Sequence, residues 1–329
     1  MTEETPTSDV HVPVLLDRVV ELCAPALAEP GAVHVDCTLG LGGHAEAILE
    51  ACPESRVIGF DRDPDALSHS RQRLARFGDR VEFVHAVYSQ FAEALADLGV
   101  AEVSSVLADL GLSSLQIDTV DRGFAYRVDA PLDMRMGDAG PTAADVLNTW
   151  SGAEIRRILT TYGEERHADR IARAIVAARE VEPFTTSARL VEVIVEALPA
   201  AVRHATTGGH PAKRTFQALR IAVNDELAAL EALLPQALDA LVPPTASTPG
   251  GRMVVLAYHS LEDRLVKNAF RERTIDRAPR DLPVVPPEMR ATMQLLVKGA
   301  ERPGRAETTT NPRAASARLR AIERLEAAA

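Results

Sequence analysis

A glycine cluster between two apolar segments has the spacing of a ligand-binding turn. A short apolar run ends just before Gly40, Gly42 and Gly43, and a helical pattern follows them directly. A second apolar run ends in Asp61. Glycines at a strand-to-helix turn let the backbone approach a ligand closely, and an acid at the end of the next strand can bind ribose hydroxyls. The pattern predicts a site for an adenosine-type cofactor.

The residues after this cluster bear on which adenosine cofactor it would take. A dinucleotide site usually reads G-x-G-x-x-G, and its third glycine allows close packing of the helix. Here Gly43 is followed by His44, Ala45 and Glu46, so the third glycine is missing. Glu46 also falls in the first helical turn, where a pyrophosphate would otherwise bind. The residues favour S-adenosylmethionine, and a nicotinamide-dependent oxidoreductase is the alternative.

A second acidic residue is expected beside the same pocket. Asp109 ends the fourth apolar run, and open α/β sheets bind ligands at the carboxyl ends of their strands. With Asp61 it predicts a pocket suited to hydroxyls and a cation. Ser113 and Ser114 follow in a tight loop, where they could supply hydrogen bonds or cap a helix that begins at Leu115.

Strand and helix patterns alternate in the first third of the chain, and strand patterns return near its end. The predicted strands are residues 33–38, 57–61, 81–85, 103–109, 251–259, 293–297 and 317–322. Residues 142–241 read as wholly helical. Such alternation favours a parallel sheet covered by helices. We expect an α/β domain whose chain leaves, builds a helical module and returns to finish the sheet; the alternative is two sequential domains.

The composition limits the class of protein. The 329 residues are 46% hydrophobic and have a formal net charge of -11, which argues against a surface covered with phosphate-binding side chains but not against a local basic patch. The three cysteines form no CxxC pair, so we predict no metal site and a reducing compartment. The first residues are polar and acidic, unlike a secretory signal, and no apolar run is long enough to cross a bilayer. We expect a cytoplasmic protein with no membrane partner.

Several motifs, taken in order, resemble the bacterial ribosomal RNA small-subunit methyltransferase H family, also called MraW. They are GGH at 42–44, DRD at 61–63, DLGLSS at 109–114, RGF at 122–124, PLDMRM at 131–136, YGEER at 162–166, RTFQALRI at 214–221 and YHSLEDR at 258–264. The resemblance covers nearly the whole chain. It implies a class I S-adenosylmethionine-dependent methyltransferase fold, which is α/β and Rossmann-like with a mostly parallel sheet and an inserted all-helical domain.

The resemblance also implies an activity and an organisation of the chain. The activity is N4-methylation of a cytidine in the decoding region of 16S rRNA within the small ribosomal subunit, and a homodimer is compatible with it. A methyltransferase acting on a non-RNA substrate is an alternative. The predicted domains are a disordered acidic tail at 1–10, a discontinuous methyltransferase domain at 11–135 and 215–329, and a helical substrate-recognition insert at 136–214.

Individual site residues follow from the matched motifs. The cofactor contacts implied by the resemblance are Gly42, Gly43, His44, Asp61, Tyr88, Asp109 and Gln116. We hypothesise that Asp109 and Ser113 also act in catalysis, as acceptors beside the methyl group, although the resemblance itself implies only a cofactor contact for Asp109. Asp133 is a further catalytic candidate, and with Arg135 it is a candidate for shaping the cytidine pocket. Ser260 with Asp263 three residues later predicts a helix cap.

Basic residues at helical spacing are the candidates for RNA contact. Arg166 and Arg170 recur along one predicted helix, and Lys213 and Arg220 recur along another. Basic faces of this kind are usually solvated or paired within the protein. Because the resemblance implies an RNA substrate, we predict that these four side chains contact phosphates.

Overall fold

The computed structural model describes residues 13–203, 210–279 and 285–326, so the predicted tail at 1–10 lies outside the described residues. The chain divides into two compact units. The described residues up to Gly111, together with those from Ala229 onward, form what we call the sheet unit. Leu112–Ala228 forms the helical unit.

The sheet unit contains a sheet that has seven strands over the described ranges, in the order β3-β2-β1-β4-β5-β7-β6. The strands are β1 Val33–Asp36, β2 Arg56–Asp61, β3 Val81–His85, β4 Ser105–Asp109, β5 Arg252–Ala257, β6 Met293–Leu295 and β7 Arg318–Arg324. The first five are paired in parallel, whereas β7 is antiparallel to both β5 and β6. The predicted class I methyltransferase fold is confirmed.

The central strands β1, β2, β4 and β5 are each buried along most of their length. Side chains of alternate residues pack into two apolar clusters, one on each face of the sheet. On β4, for example, Val106 belongs to one cluster and Leu107 to the other. Strands buried on both faces read as continuous apolar runs, which is why the sequence predicts them within a few residues. Their carboxyl ends meet at one edge of the sheet.

Helices supply the remaining regular structure. The α-helices are α1 Leu16–Cys23, α2 Gly43–Ala51, α3 Pro64–Leu74, α4 Phe91–Asp97, α5 Ser114–Asp118, α6 Ala143–Thr149, α7 Gly152–Thr161, α8 Ala168–Val181, α9 Ser187–Ala197, α10 Ala200–Arg203, α11 Lys213–Asn224, α12 Glu226–Ala240, α13 Ser260–Arg273 and α14 Arg305–Thr310. Short 3-10 helices occur at Ala24–Leu27, Ala75–Arg80, Tyr88–Gln90, Val120–Arg122, Pro287–Met289 and Pro312–Ser316. Among the helices in the described ranges, none combines the length and the apolar character that spanning a membrane requires.

The helical unit has an apolar core of its own, and that core sets the limits of the unit. Ile158 and Ile171, from α7 and α8, are fully buried in it. Leu132 and Met134, which precede the first long helix, bury their side chains in the same core, as does Leu219 of α11. The compact unit spans 112 to 228, and the predicted insert at 136–214 lies within it.

Candidate active site

The glycine turn between β1 and α2 is shaped by left-handed backbone. Gly42 has φ +78° and occupies the N-cap of α2. A Cβ added at Gly43 would lie 2.5 Å from Cγ of Pro13, because the first described residues pass directly against the turn. Glycine avoids both the strain and the overlap. The glycines thus allow the turn to pack directly against the segment at Pro13.

Asp61 ties the end of β2 to this turn. Its Oδ2 accepts a hydrogen bond from the backbone N–H of Gly40 at 2.8 Å, and its Oδ1 accepts one from the N–H of Asp63 at 2.9 Å. Burial raises the pKa of Asp61 to about 6, against the opposing effect of these backbone donors. Its carboxyl group therefore holds the turn in place as well as lying at the predicted cofactor edge.

Asp36 is a third acidic group at this edge, and the sequence reasoning missed it. It ends β1, is only 1% exposed, and accepts a hydrogen bond from the N–H of Thr38 at 3.1 Å. Burial raises its pKa to about 6. The Thr38 hydroxyl in turn accepts a hydrogen bond from the N–H of Asp109 at 2.7 Å, which links the ends of β1 and β4. The available signal was an acid at the end of an apolar run just before the glycines.

Asp109 lies where the sequence predicts, at the carboxyl end of β4. Its Oδ1 accepts a hydrogen bond from the Tyr258 hydroxyl at 2.6 Å, and its Oδ2 lies 3.8 Å from Nδ1 of His44. Burial raises the pKa of Asp109 to about 7, although the Tyr258 hydrogen bond opposes that rise. This carboxyl group can therefore exchange a proton near neutral pH.

His44 begins the first turn of α2 and is buried beside Asp109. Its Nε2 lies 3.1 Å from the carbonyl oxygen of Val14. Because a carbonyl oxygen can only accept, Nε2 carries the hydrogen and the neutral ring turns the Nδ1 lone pair toward Asp109. Burial lowers the pKa of His44, which favours this neutral form.

The segment after β5 completes this group of residues. Glu262 accepts hydrogen bonds from the N–H groups of Tyr258 at 2.8 Å and His259 at 3.2 Å. His259, not Ser260, caps α13, so the predicted pairing of Ser260 with Asp263 is wrong. Asp263 accepts hydrogen bonds from arginines of β7, and only His259 has the extended backbone of an N-cap residue.

Tyr88 follows β3 in a 3-10 helix and packs its half-buried side chain against the core cluster. It lies after the third strand, at the position where the resemblance implies an aromatic residue. Its contact with a cofactor stays a prediction.

The donor set suits hydroxyl groups and a cation. The carboxyl groups of Asp36, Asp61 and Asp109 stand at the ends of three adjacent parallel strands, and such ends form the ligand-binding edge of open α/β sheets. Glu46 is paired with Arg73 at 2.7 Å and Arg76 at 3.0 Å, so its charge is compensated. The preference for a cation over a pyrophosphate therefore depends on the strand-end carboxyl groups rather than on Glu46.

Three predicted site residues belong to the helical unit. Ser113 caps α5, where its hydroxyl accepts from the N–H of Gln116 and the Gln116 side chain accepts in return. Gln116 is 5% exposed and also donates to the carbonyl of Met136 at 3.4 Å. The capping role that the sequence left open for Ser113 is thus the observed one, while its catalytic role and the cofactor contact of Gln116 stay predictions.

Asp133 is engaged by its neighbour Arg135 through two side-chain hydrogen bonds of 2.8 and 2.7 Å. Burial acts to raise the pKa of Asp133, but the hydrogen bonds from Arg135 outweigh it and the pKa is lowered. Asp133 and Arg135 form an ion pair in the loop before α6. Its part in a cytidine pocket stays a prediction.

The predicted RNA-contacting residues fall into two groups. Arg166, Arg170 and Lys213 are exposed, with Arg166 placed just before α8 and Lys213 at the first position of α11. Arg220 instead has a side chain that is only 16% exposed, and it makes two hydrogen bonds of 2.8 Å to Glu226. Its guanidinium is committed within the helical unit.

Comparisons with known proteins agree with this arrangement. The model of the MraW methylase family matches residues 8–325. A protein of Frankia alni named "Ribosomal RNA small subunit methyltransferase H" is 59% identical over 317 residues, which cover 96% of this chain and 95% of that one. A protein of the same name from Saccharopolyspora erythraea is 58% identical over 321 residues, covering 97% and 95%.

Among solved structures, an rRNA methylase from Streptococcus thermophilus aligns over 94% of both chains with 11% identity and a TM-score of 0.40. The family assignment depends on the family model and on the sequence relatives, which span almost the full length of this chain. The chain belongs to the MraW methylase family.

Proposed function

We propose that this chain transfers a methyl group from S-adenosylmethionine to N4 of a cytidine in small-subunit ribosomal RNA. The observation that carries the proposal is the pair of acidic strand ends, Asp61 and Asp109, on either side of a left-handed glycine turn. The names of the relatives supply the substrate class. The N4 position comes from the motif resemblance. With ribosomal RNA as its substrate, the chain is proposed to act in the cytoplasm.

The residues around the turn fit the proposed cofactor. Gly42 and Gly43 let the turn pack closely against Leu74 and Pro13, Asp61 offers its remaining lone pairs to ribose hydroxyls, and the acidic edge favours a sulfonium over an anion. Tyr88 offers a ring face for packing. When bound, the cofactor supplies an electrophilic methyl group. The motifs also imply cofactor contacts by His44 and Asp109, and the resemblance alone implies one by Gln116.

Asp109 is our candidate for the residue that assists the transfer. The exocyclic amine of cytosine is a weak nucleophile, because its lone pair is delocalised into the ring, so orientation supplies much of the acceleration. A carboxylate that accepts an N–H of the amine would orient it and stabilise the positive charge that develops on nitrogen. As N4 gains the methyl group it loses a proton, which a carboxyl group with a pKa near 7 can take up.

The exposed cations of the helical unit are proposed to contact RNA phosphates. Arg166, Arg170 and Lys213 present their charges to solvent, as phosphate-binding side chains do. We leave Arg220 out of this group because Glu226 already neutralises it.

The test measures cofactor binding and methyl transfer separately. Calorimetry should show binding of S-adenosylmethionine to the wild type, weaker binding by Asp61→Ala, and unchanged binding by Asp97→Asn, an exposed acid on α4. Labelled methyl groups should appear on N4 of a cytidine in small-subunit rRNA, with 30S particles and free rRNA offered in parallel. Binding of NADH with no binding of S-adenosylmethionine would overturn the proposal.

A second set of variants tests the RNA face. Replacing Arg166, Arg170 and Lys213 together by Glu should lower methylation of rRNA by more than tenfold at moderate salt, because each lost phosphate contact weakens binding. Cofactor affinity should not change. The matched control replaces three exposed cations of the sheet unit, Arg56, Lys267 and Lys298, by Glu. Equal losses in both triple variants would show only a general charge effect and reject this face.

A further inference from the structure

Tyr258 and Asp109 are joined although they lie far apart in the sequence. β4 and β5 are neighbours in the sheet, with Asp109 in register with Leu256, so the residues just after each strand meet. The hydroxyl of Tyr258 donates to Oδ1 of Asp109 at 2.6 Å. This is the short distance expected when a hydroxyl donates to a carboxylate.

The ring of Tyr258 is held from several sides. Its backbone N–H donates to Glu262 at 2.8 Å, which fixes the residue at the start of α13. A Cβ added at Gly111, where φ is +99°, would come within 3.2 Å of Cδ2 of the ring. The ring also packs against the small apolar cluster that contains Val14 and Ala317. Tyr258 is therefore a fixed donor rather than a mobile surface side chain.

We propose that Tyr258 is a positioning residue for Asp109: its hydroxyl occupies Oδ1, fixes the orientation of the carboxyl group and favours its ionised form, so that Oδ2 is presented to the reacting groups. The inference depends on the proposed function, in which Asp109 accepts a hydrogen bond from the substrate amine. In this role Tyr258, in the YHSLEDR segment, acts on Asp109 and not on the substrate itself.

Because the groups around Asp109 disfavour its ionised form, the hydrogen bond from Tyr258 is important for that form. Burial and the negative charge of Glu262, from α13, both disfavour the ionised form of Asp109. Asp36 at the end of β1 adds another acidic neighbour. His44 of α2 is neutral because burial lowers its pKa, so it offers no compensating charge. The Tyr258 hydroxyl is thus the group that lowers the pKa of Asp109. Glu307 interacts electrostatically with Tyr258, but it is acidic and supplies no positive charge.

Removing the hydroxyl should raise the pKa of Asp109 further, because a hydrogen bond to the charged form favours that form. In Tyr258→Phe the acidic limb of the pH profile of kcat/KM should move to higher pH. We expect the rate to fall roughly three- to tenfold at pH 7 and to approach the wild-type rate above about pH 9. KM for S-adenosylmethionine should change less than kcat. Tyr162→Phe, in the helical unit, is the matched control and should keep the wild-type profile.

A second measurement does not depend on turnover. The carboxyl carbon of Asp109 is followed by ¹³C NMR across the pH range in wild type and Tyr258→Phe, with its signal assigned by its loss in Asp109→Asn. Titration at higher pH in Tyr258→Phe supports the inference, and titration at the same pH overturns it. A pH-independent loss of rate in Tyr258→Phe, or a wild-type profile, would also overturn it. Failure of the wild type to bind S-adenosylmethionine would instead count against the proposed function, since the carboxyl titration would still decide the role of Tyr258.

Discussion

His34 is a histidine that is buried within the sheet. It lies in β1, is fully buried, and in the described part of the chain neither of its ring nitrogens has a hydrogen-bond partner. Its neighbour in register on β4 is Ser105, whose hydroxyl is also buried and without a hydrogen bond there. Burial lowers the pKa of His34 to about 3. The folded protein therefore holds this ring neutral at every pH at which it is expected to work.

This burial should make the fold sensitive to mild acid. The unfolded chain protonates His34 below its ordinary pKa of about 6.5, whereas the folded chain does not until about pH 3, so stability is full above 6.5 and falls as pH drops. Between pH 7 and pH 5 the loss from this residue is about 2 kcal/mol. His34→Leu should lose less stability over that interval in urea unfolding.

The control for this measurement is His69→Gln, which replaces an exposed histidine of α3. The buried acids Asp36, Asp61 and Asp109 have raised pKa values, so their contribution to the stability of the fold increases as the pH falls. They are present in all the proteins compared, and their effect therefore cancels in the comparison. If wild type and His34→Leu show the same loss between pH 7 and pH 5, His34 is not the source of acid sensitivity.

At the scale of elements, α11 organises the loop that precedes α6. Asn224, at the last position of α11, is 3% exposed. Its side chain accepts from the N–H of Met136 at 2.7 Å and donates to the carbonyl of Met134 at 2.7 Å. Backbone groups of a buried loop need such partners, because an unpaired one costs about as much as a lost hydrogen bond. The side-chain amide of Asn224 thus joins α11 to the loop that carries Asp133 and Arg135, beside the backbone hydrogen bond from Met134 to Arg122.

Asn224→Ala should destabilise this loop. Two buried backbone groups would lose their partner, and the expected cost is roughly 2–4 kcal/mol of the free energy of unfolding. Hydrogen exchange at Met136 should rise in the variant. Gln217→Ala is the control from the same helix, since Gln217 is half-buried and makes one hydrogen bond, to the carbonyl of Tyr162. An equal loss of stability in both variants would contradict the role given to Asn224.

The strands were predictable from the sequence because each contains a short apolar segment, whether almost fully buried, as in β5, or only half-buried, as in β3. The strand predicted at 81–85 is β3 itself, and the other six differ from the observed strands by a few residues at their ends. Contacts between distant segments were not predictable. Tyr258 and Asp109 are 149 residues apart, and only the sheet order brings them together. Asp36 carried a local signal, whereas the cap of α13 was placed one residue too late because histidine is not a usual N-cap residue.

The whole molecule consists of two units with separate cores. The clusters on the two faces of the sheet draw on residues of the sheet unit, and the third large cluster draws on the helical unit. Cooperative units of folding often coincide with such separately packed regions. We therefore expect each unit to respond mainly to substitutions in its own core.

Ile158→Ala tests this expectation. Ile158 is fully buried in the helical unit, and its truncation should cost about 2–5 kcal/mol there. Hydrogen exchange should quicken in α7, α8 and α11, while protection in β1, β4 and β5 changes little. Val255→Ala, in β5, is the reciprocal variant and should show the reverse pattern. Uniform loss of protection in either variant would mean that the chain unfolds as one cooperative body.

The hydrogen bond from the N–H of Leu15 to the carboxylate of Glu307 spans 292 residues and has a length of 2.6 Å. Leu15 itself is in the strained left-handed conformation, with φ +52°, so its segment needs that distant anchor to hold its shape. The same segment supplies the carbonyl that orients His44. Because the two partners are 292 residues apart, a nascent chain cannot fix the segment around Leu15 until Glu307 has been synthesised. The carbonyl of Val14 that orients His44 should therefore settle only after that point.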